Sequence, residues 1–133
     1  MIDTVKLLRE HGVQPSAQRV VVAEYVLWTT DHPSADQVLA HVRKRLPMLS
    51  RATVYNTLNL FVEKKLLRPL ILAEGKLLFD PNIKDHHHFI DDRTGRVYDV
   101  PWISVVVKNM RLLRGFDVRE FQVVMRGRHT GSA

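Results

Sequence analysis

The chain has 133 residues, a formal net charge of +6 and a pI of about 10.0. This length accommodates one ordinary domain or two small ones, and the 45% content of hydrophobic residues excludes a wholly disordered chain. The complete lack of cysteine excludes disulfides, thiolate catalysis and Cys-ligated metal sites, whereas the positive charge favours a nucleic-acid partner. No apolar run reaches the roughly 18 residues of a membrane span and no signal peptide is visible, so we expect a cytoplasmic protein with no membrane partner.

The first part of the chain has the element order of a winged helix. Apolar residues at helical spacing predict four helices, which cover 3–11, the stretch after Ser16, the stretch from Ser34 to Arg45, and 51–65. Ser34-Ala35-Asp36-Gln37 matches a capping box at the start of the third helix. Two strand-like runs follow at 67–72 and 76–79, with Glu74-Gly75 as the turn of a predicted hairpin.

The second part of the chain predicts a small α/β domain. Its expected elements are strands at 88–90, 96–100 and 118–125, a helix at 103–113, and a frayed tail at 126–133. The resulting division is a winged helix-turn-helix domain at 1–80, a hinge at 81–83 and the second domain at 84–133. The fold class is therefore α/β (α+β), with helices first and strands concentrated later.

The fourth predicted helix has the two faces that a DNA-reading helix needs. Val54, Leu58 and Phe61 form an apolar face that can dock on a scaffold. The remaining surface offers groups for phosphates and base edges: Ser50, Arg51, Thr53, Tyr55, Asn56 and Asn59. An ordinary amphipathic surface helix would show the same pattern, but the hairpin that follows favours double-stranded DNA as the partner.

The run 85–88 is the densest group of candidate metal ligands in the sequence. His86 and His88 share one face of a strand, and two imidazoles at this spacing suit zinc, iron, manganese or nickel. Asp80 precedes them and Asp99 lies in the next strand. The mixed nitrogen and oxygen ligands favour iron(II) or manganese(II), with zinc as an alternative in purified protein.

Two weaker interpretations of the histidines stay open at this point. Three adjacent histidines also occur in exposed loops and in expression tags, although a tag in mid-chain is unusual. His32 precedes a proline, and a single histidine in that position is more often a turn residue than a ligand. If His32 does bind the ion, the metal would link the two predicted domains.

The residues resemble those of the ferric uptake regulator (Fur) superfamily of metal-dependent repressors over nearly the whole chain. The matching segments are 12–19, 32–36, 50–58, 79–80, 86–88 and 95–99. The third of these, which matches the recognition helix, is the most specific. The resemblance implies a homodimer with an N-terminal winged helix that binds operator DNA and a C-terminal α/β dimerisation domain.

The resemblance also implies which residues form the sites. The regulatory metal site would consist of His32, Asp80, His86, His88 and Asp99, and additional metal or haem ligands would be Asp85 and His87. The DNA-contacting set would add three residues to the six of the fourth helix, namely Gln14, Ser16 and Arg19.

Two departures from the family pattern refine these expectations. Asp91-Asp92-Arg93-Thr94 stands where most members have Cys-x-x-Cys, so no structural zinc held by four cysteines is expected and dimer stability must come from strand pairing and apolar packing. Asn56 stands where many iron sensors have Arg, which changes the expected operator preference.

The cysteine-free pattern resembles a peroxide-sensing (PerR-like) branch and a haem-responsive (Irr-like) branch. Asp99, where iron sensors commonly have Glu, favours the peroxide branch, in which His32 and His88 match ligands that become oxidised. His87 and the short C-terminal end suit the haem branch instead.

The sequence therefore predicts a peroxide- or iron-responsive repressor and no enzyme, with a haem-responsive regulator as the alternative. A small iron(II) oxygenase or metal hydrolase with two His and one carboxylate is a third hypothesis. The chain is short for both a winged helix and a substrate pocket.

Overall fold

Residues 3–72 and 75–131 are described by a computed structural model, in which the chain divides into two units, Met1–Ile83 and Lys84–Ala133. The first unit contains four helices followed by a hairpin, and the second contains a three-stranded sheet. The predicted α+β class is confirmed. No helix within the described ranges is long and apolar enough to cross a membrane.

Each helix of the first unit begins after a residue whose side chain accepts a backbone N–H of the first turn. The helices are α1 (Thr4–Glu10), α2 (Ala17–Val26), α3 (Ala35–Val42) and α4 (Arg51–Glu63), and their N-caps are Asp3, Ser16, Ser34 and Ser50. The predicted capping box is complete, because the Gln37 side chain also accepts the backbone N–H of Ser34. All four predicted helices are confirmed, with α3 ending three residues and α4 two residues earlier than expected.

The apolar face of α4 forms the centre of the first unit. Val54, Leu58 and Phe61 are fully buried, as the spacing of these residues predicts. Burying each such side chain contributes about 1.5–3 kcal/mol relative to exposure. Helices α2 and α3 pack on this face and α1 packs on α2, and the four helices share a set of buried residues that includes Leu8, Val22, Val26, Val38 and Val42. This packing fixes α4 on its scaffold and leaves its polar face exposed.

A two-stranded antiparallel hairpin follows α4. Its strands are β1 (Arg68–Ile71) and β2 (Leu77–Asp80), with Arg68 opposite Asp80 in the register. Glu74 of the predicted turn lies outside the described residues. The Phe79 N–H donates to the Pro33 carbonyl at 2.9 Å, which ties β2 to the loop between α2 and α3. Helices followed by this hairpin give the winged-helix order that the sequence predicts.

The second unit is built on a mixed sheet with β3 (His86–Asp91) in the middle. β4 (Val97–Pro101) pairs with β3 antiparallel, and β5 (Val124–Gly127) pairs with β3 parallel. In the β3–β4 register His88 lies opposite Asp99. This pairing places three of the five predicted metal ligands, His86, His88 and Asp99, on adjacent strands of one sheet.

Three predictions for the second unit are wrong in detail. The expected helix at 103–113 is replaced by two short 3-10 turns, Trp102–Ser104 and Met110–Leu112, separated by irregular chain. Four of the five residues at 103–107 are β-branched, which disfavours a helix, and Ile103, Val106 and Val107 lie exposed rather than against a partner face. The last strand covers only 124–127, so the predicted tail begins inside β5, while Ser132 and Ala133 lie outside the described residues.

Candidate functional site

A buried histidine and a buried aspartate meet within the first unit. His32 Nε2 lies 3.3 Å from Asp80 Oδ2, and both residues are almost completely shielded from solvent. The other ring nitrogen of His32, Nδ1, lies 3.0 Å from the Thr30 carbonyl. Asp80 also accepts the Asn82 backbone N–H at 2.9 Å. The left-handed backbone of His32, with φ of 50°, turns the chain before Pro33 and places the ring at this position.

A second group lies within the second unit, on β3 and β4. His86 Nε2 is 3.2 Å and His88 Nε2 is 3.6 Å from the same oxygen, Oδ1 of Asp99. The two rings stand edge to face with centroids 4.5 Å apart. His86 Nδ1 lies 2.6 Å from the Lys84 carbonyl, and His88 Nδ1 lies 2.7 Å from Oε1 of Gln122. Two buried imidazoles and one half-exposed carboxylate therefore converge.

The three histidines share one hydrogen-bonding pattern. Each Nδ1 faces a carbonyl or amide oxygen and must donate its proton there, which leaves a lone pair on Nε2 in the neutral ring. That Nε2 faces a carboxylate oxygen in every case. Two acceptors face one another favourably only when a proton or a cation lies between them. Metal-bound histidines show this same arrangement, so the donor set fits a divalent ion such as iron(II), manganese(II) or zinc(II).

His87 lies on the opposite face of β3 from its two neighbours. Its Nδ1 accepts the Val123 backbone N–H at 2.9 Å, and its ring stacks on Trp102 with centroids 4.5 Å apart. Because Nδ1 accepts, the proton of the neutral ring is on Nε2, and His87 has no lone pair to offer a metal. His87 is completely buried, and its Nε2 has no hydrogen-bond partner among the described residues. The structure thus separates His87 from His86 and His88, and Asp85 is exposed.

The polar face of α4 and the start of α2 border a common groove of about 710 Å³. Six of the nine predicted DNA-contacting residues line this groove, namely Gln14, Ser16, Arg19, Thr53, Asn56 and Asn59. Arg19 donates from Nη1 to the Gln14 carbonyl at 2.9 Å, which holds the guanidinium at the groove. The groove is polar and open, as a surface that contacts nucleic acid must be.

The other three predicted DNA-contacting residues lie at the start of α4. Ser50 caps the helix and also hydrogen-bonds the Thr53 hydroxyl at 2.8 Å. Arg51 and Tyr55 both donate to Asp36 on α3. The hydrogen bond to Asp36 raises the pKa of the Arg51 guanidinium above its already high ordinary value, so its charge is fixed.

A hydrogen-bonded aspartate occupies the place of the first missing cysteine. Asp91 accepts the Arg93 backbone N–H at 3.1 Å and the Thr94 hydroxyl at 3.0 Å. These groups and the His129 backbone N–H lower the pKa of the Asp91 carboxyl, with the Arg93 N–H as the largest cause. Asp91 therefore links the β3–β4 turn to the segment that follows β5 through hydrogen bonds.

Two residues of these sites escaped the sequence analysis. Gln122 is separated from His88 by 34 residues, and Asp36 from Arg51 by 15. The sequence predicts a role for Asp36 only within the helix cap of α3, and nothing in the local sequence distinguishes Gln122. Both contacts depend on tertiary packing, which periodicity alone does not reveal.

Comparison with known proteins yields one consistent group. The model of the "Ferric uptake regulator family" matches residues 10–126. The peroxide operon regulator of Bacillus subtilis is 30% identical over 94% of this chain and 88% of its own length. The peroxide-responsive repressor PerR of Staphylococcus epidermidis is 27% identical over 94% of this chain and 85% of its own length.

Solved structures share the fold. A zinc-bound manganese uptake regulator superposes with a TM-score of 0.75 at 24% identity, covering 95% of this chain and 98% of its own. The Campylobacter jejuni peroxide stress regulator gives a TM-score of 0.66 at 22% identity, covering 99% of this chain and all of its own. The family match replaces the hypothesis of a small metal enzyme with that of a regulator. The chain belongs to the ferric uptake regulator family.

Proposed function

We propose that this chain is a metal-dependent transcriptional repressor that binds operator DNA through α4 and responds to peroxide through its bound ion. The ligands are His32, Asp80, His86, His88 and Asp99. The observation that carries this proposal is the arrangement common to the three histidines, each with Nδ1 held by an oxygen and Nε2 turned to a carboxylate.

A single ion bound by all five side chains would have nearly the number of ligands that iron(II) or manganese(II) favours. His32 and Asp80 offer two ligands, and His86, His88 and Asp99 offer three, whereas iron(II) and manganese(II) favour up to six. Neither group alone completes such a shell. An ion that draws ligands from both units would link metal occupancy to the unit that carries α4, which is what a metal-dependent repressor requires.

DNA binding by the first unit is supported by α4 and the groove beside it. A buried apolar face holds the helix, while Thr53, Asn56 and Asn59 border an open polar groove together with Arg19. Amide and guanidinium side chains hydrogen-bond to base edges and phosphates in the major groove. The hairpin β1–β2 provides the wing. We therefore assign base reading to α4 and expect binding to weaken as salt concentration rises.

The peroxide response is supported by the ligand chemistry and by the names of the relatives. The two relatives compared above are a peroxide operon regulator and a peroxide-responsive repressor. The mixed imidazole and carboxylate ligands suit iron(II), which when bound supplies the reduction of hydrogen peroxide beside the histidine rings. Oxidation of His32 or His88 would remove a ligand and lower metal affinity. Manganese(II) in the same site would support DNA binding without this sensitivity.

A homodimer is supported by the exposed apolar surface of the second unit. Val97 is the one buried apolar side chain of that unit within residues 84–131. Large apolar side chains stand exposed on the segment after β4, among them Trp102, Ile103, Val106, Leu112 and Phe116. A unit of about 50 residues with so small a core needs a covering partner, and a second copy supplies one. We expect Phe116→Glu to convert dimer to monomer in sedimentation velocity.

Operator binding under different metals tests the proposed function. The probe is a duplex selected by the wild-type chain from a random-sequence library in the presence of manganese(II). We expect tight binding with manganese(II) and with anaerobic iron(II), and release when peroxide is added to the iron(II) sample alone. His86→Ala should lose the metal dependence, while the matched control His11→Ala should keep it. Equal affinity with metal and with chelator would contradict the proposal.

A further inference from the structure

One carboxylate outside the predicted DNA-contacting set connects the exposed side chains at the start of α4. Asp36, in the first turn of α3, accepts at Oδ1 both the Arg51 guanidinium and, at 3.2 Å, the Tyr55 hydroxyl. Arg51 and Tyr55 are four residues apart and therefore neighbours on one side of α4. A single oxygen atom thus fixes the position of two side chains on the DNA-reading helix.

Both of the side chains that Asp36 holds can contact DNA, but in different ways. A guanidinium binds guanine edges specifically and any phosphate non-specifically, whereas a tyrosine ring makes an apolar contact with a thymine methyl. The Asp36 and Arg51 side chains are 64% and 62% exposed, so a DNA phosphate can reach the same guanidinium. A phosphate contact by Arg51 then requires that the phosphate replace the Asp36 carboxylate. This exchange reduces the net free energy that the phosphate contact contributes to DNA binding.

We propose that Asp36 is a positioning residue for sequence discrimination: it holds Arg51 and Tyr55 in place for base contacts and competes with phosphate for Arg51. This inference rests on the proposed function, because it assumes that α4 reads DNA. It concerns the ratio of operator affinity to non-specific affinity rather than affinity as a whole. Asp36 itself touches no base in this account.

The size of the effect follows from the exposure of the pair. An exposed ion pair changes an equilibrium by about 1.4- to 5-fold. Each additional phosphate contact steepens the dependence of log affinity on log salt concentration by about 0.9. In Asp36→Asn we therefore expect the operator-to-non-specific ratio to fall about threefold, and the non-specific salt slope to steepen by about 0.9. A purely structural role for Asp36 would change the thermal midpoint but not the salt slope.

The experiment measures fluorescence anisotropy of the full chain with manganese(II) on two duplexes, the library-selected operator and a scrambled duplex of the same composition. The matched control is Glu24→Gln, which removes one acidic charge and one exposed ion pair, Glu24–Arg45, without touching α4. Glu24→Gln should raise the affinity for both duplexes equally and leave their ratio unchanged. Asp36→Glu should restore most of the wild-type ratio, since it retains the carboxylate.

A double-variant comparison isolates the contact with Tyr55. Tyr55→Phe removes the hydroxyl that Asp36 holds, so the loss of discrimination in the Asp36→Asn, Tyr55→Phe double variant should be smaller than the product of the two single losses. The inference is overturned if Asp36→Asn leaves the ratio at the wild-type value, or if Glu24→Gln lowers it equally. Failure of the wild-type chain to prefer the operator would instead overturn the proposed function and this role of Asp36 with it.

Discussion

The hydrogen bond from His88 to Gln122 gives a test of the metal site that leaves every ligand in place. Gln122→Met keeps the length of the side chain and removes the oxygen that accepts the His88 Nδ1 proton at 2.7 Å. His88 is 4% exposed, so its N–H then lacks a buried acceptor and Nε2 is no longer fixed toward Asp99. Loss of such an outer partner lowers metal affinity by about 10- to 100-fold, or about 1.4–2.7 kcal/mol.

Isothermal titration of the metal-free chain with manganese(II) measures this loss directly. Gln122→Glu is the matched control, because its carboxylate still accepts the Nδ1 proton and should keep affinity at or above the wild-type value. Gln122 is an exposed residue, so Gln122→Glu should change the free energy of unfolding little. Gln122→Met should lower it by about 1–3 kcal/mol, because the buried His88 N–H then has no acceptor. Manganese(II) affinity of Gln122→Met within about twofold of wild type would refute the assigned orientation of His88.

Three further predictions concern the buried core of the first unit, the middle histidine His87, and Asp91 at the β3–β4 turn. Leu58→Ala should lower the free energy of unfolding by about 2–5 kcal/mol in urea titrations, since Leu58 is fully buried in the centre of the first unit; a cost below about 1 kcal/mol would contradict that packing. His87→Phe should retain manganese(II) affinity in the same titration, because His87 faces away from the ligands, and a tenfold loss would contradict this. Asp91 has a folded pKa below its ordinary value of 3.8, so its contribution to stability is present above that pH and is lost as pH falls through the folded pKa. The stability difference between wild type and Asp91→Asn should therefore be constant above about pH 5 and shrink below about pH 4, and a difference that does not shrink in acid would contradict the lowered pKa of Asp91.

The first unit could be predicted from sequence because its signals are local. Four capping side chains and the i, i+4, i+7 spacing of Val54, Leu58 and Phe61 specify helices and a buried face with little help from distant contacts. The strand alternation at His86 and His88 likewise placed two rings on one face and His87 on the other. These features depend on residues within one turn or one strand.

The other features of the fold and of the candidate sites depend on tertiary structure and could not be predicted from the local sequence. The helix predicted at 103–113 had the right apolar spacing, but that spacing forms a helix only where a face is available to cover it, and Ile103 is 87% exposed. Gln122 and Asp36 became recognisable only once β5 lay beside β3 and α3 lay against α4. The parallel pairing of β3 with β5 joins segments far apart in the chain and carries no local signature.

The dependence of operator affinity on the ion tests the central claim most directly. The measurement is fluorescence anisotropy of the wild-type chain on the selected duplex, beginning with chelator present and adding manganese(II) stepwise. Operator affinity should rise with manganese(II) concentration, and the midpoint of this rise should equal the midpoint of manganese(II) binding. The double variant His86→Ala, His88→Ala should stay at the chelated value throughout the titration. Operator affinity that is equal before and after manganese(II) addition, or a double variant that responds like the wild type, would contradict the account.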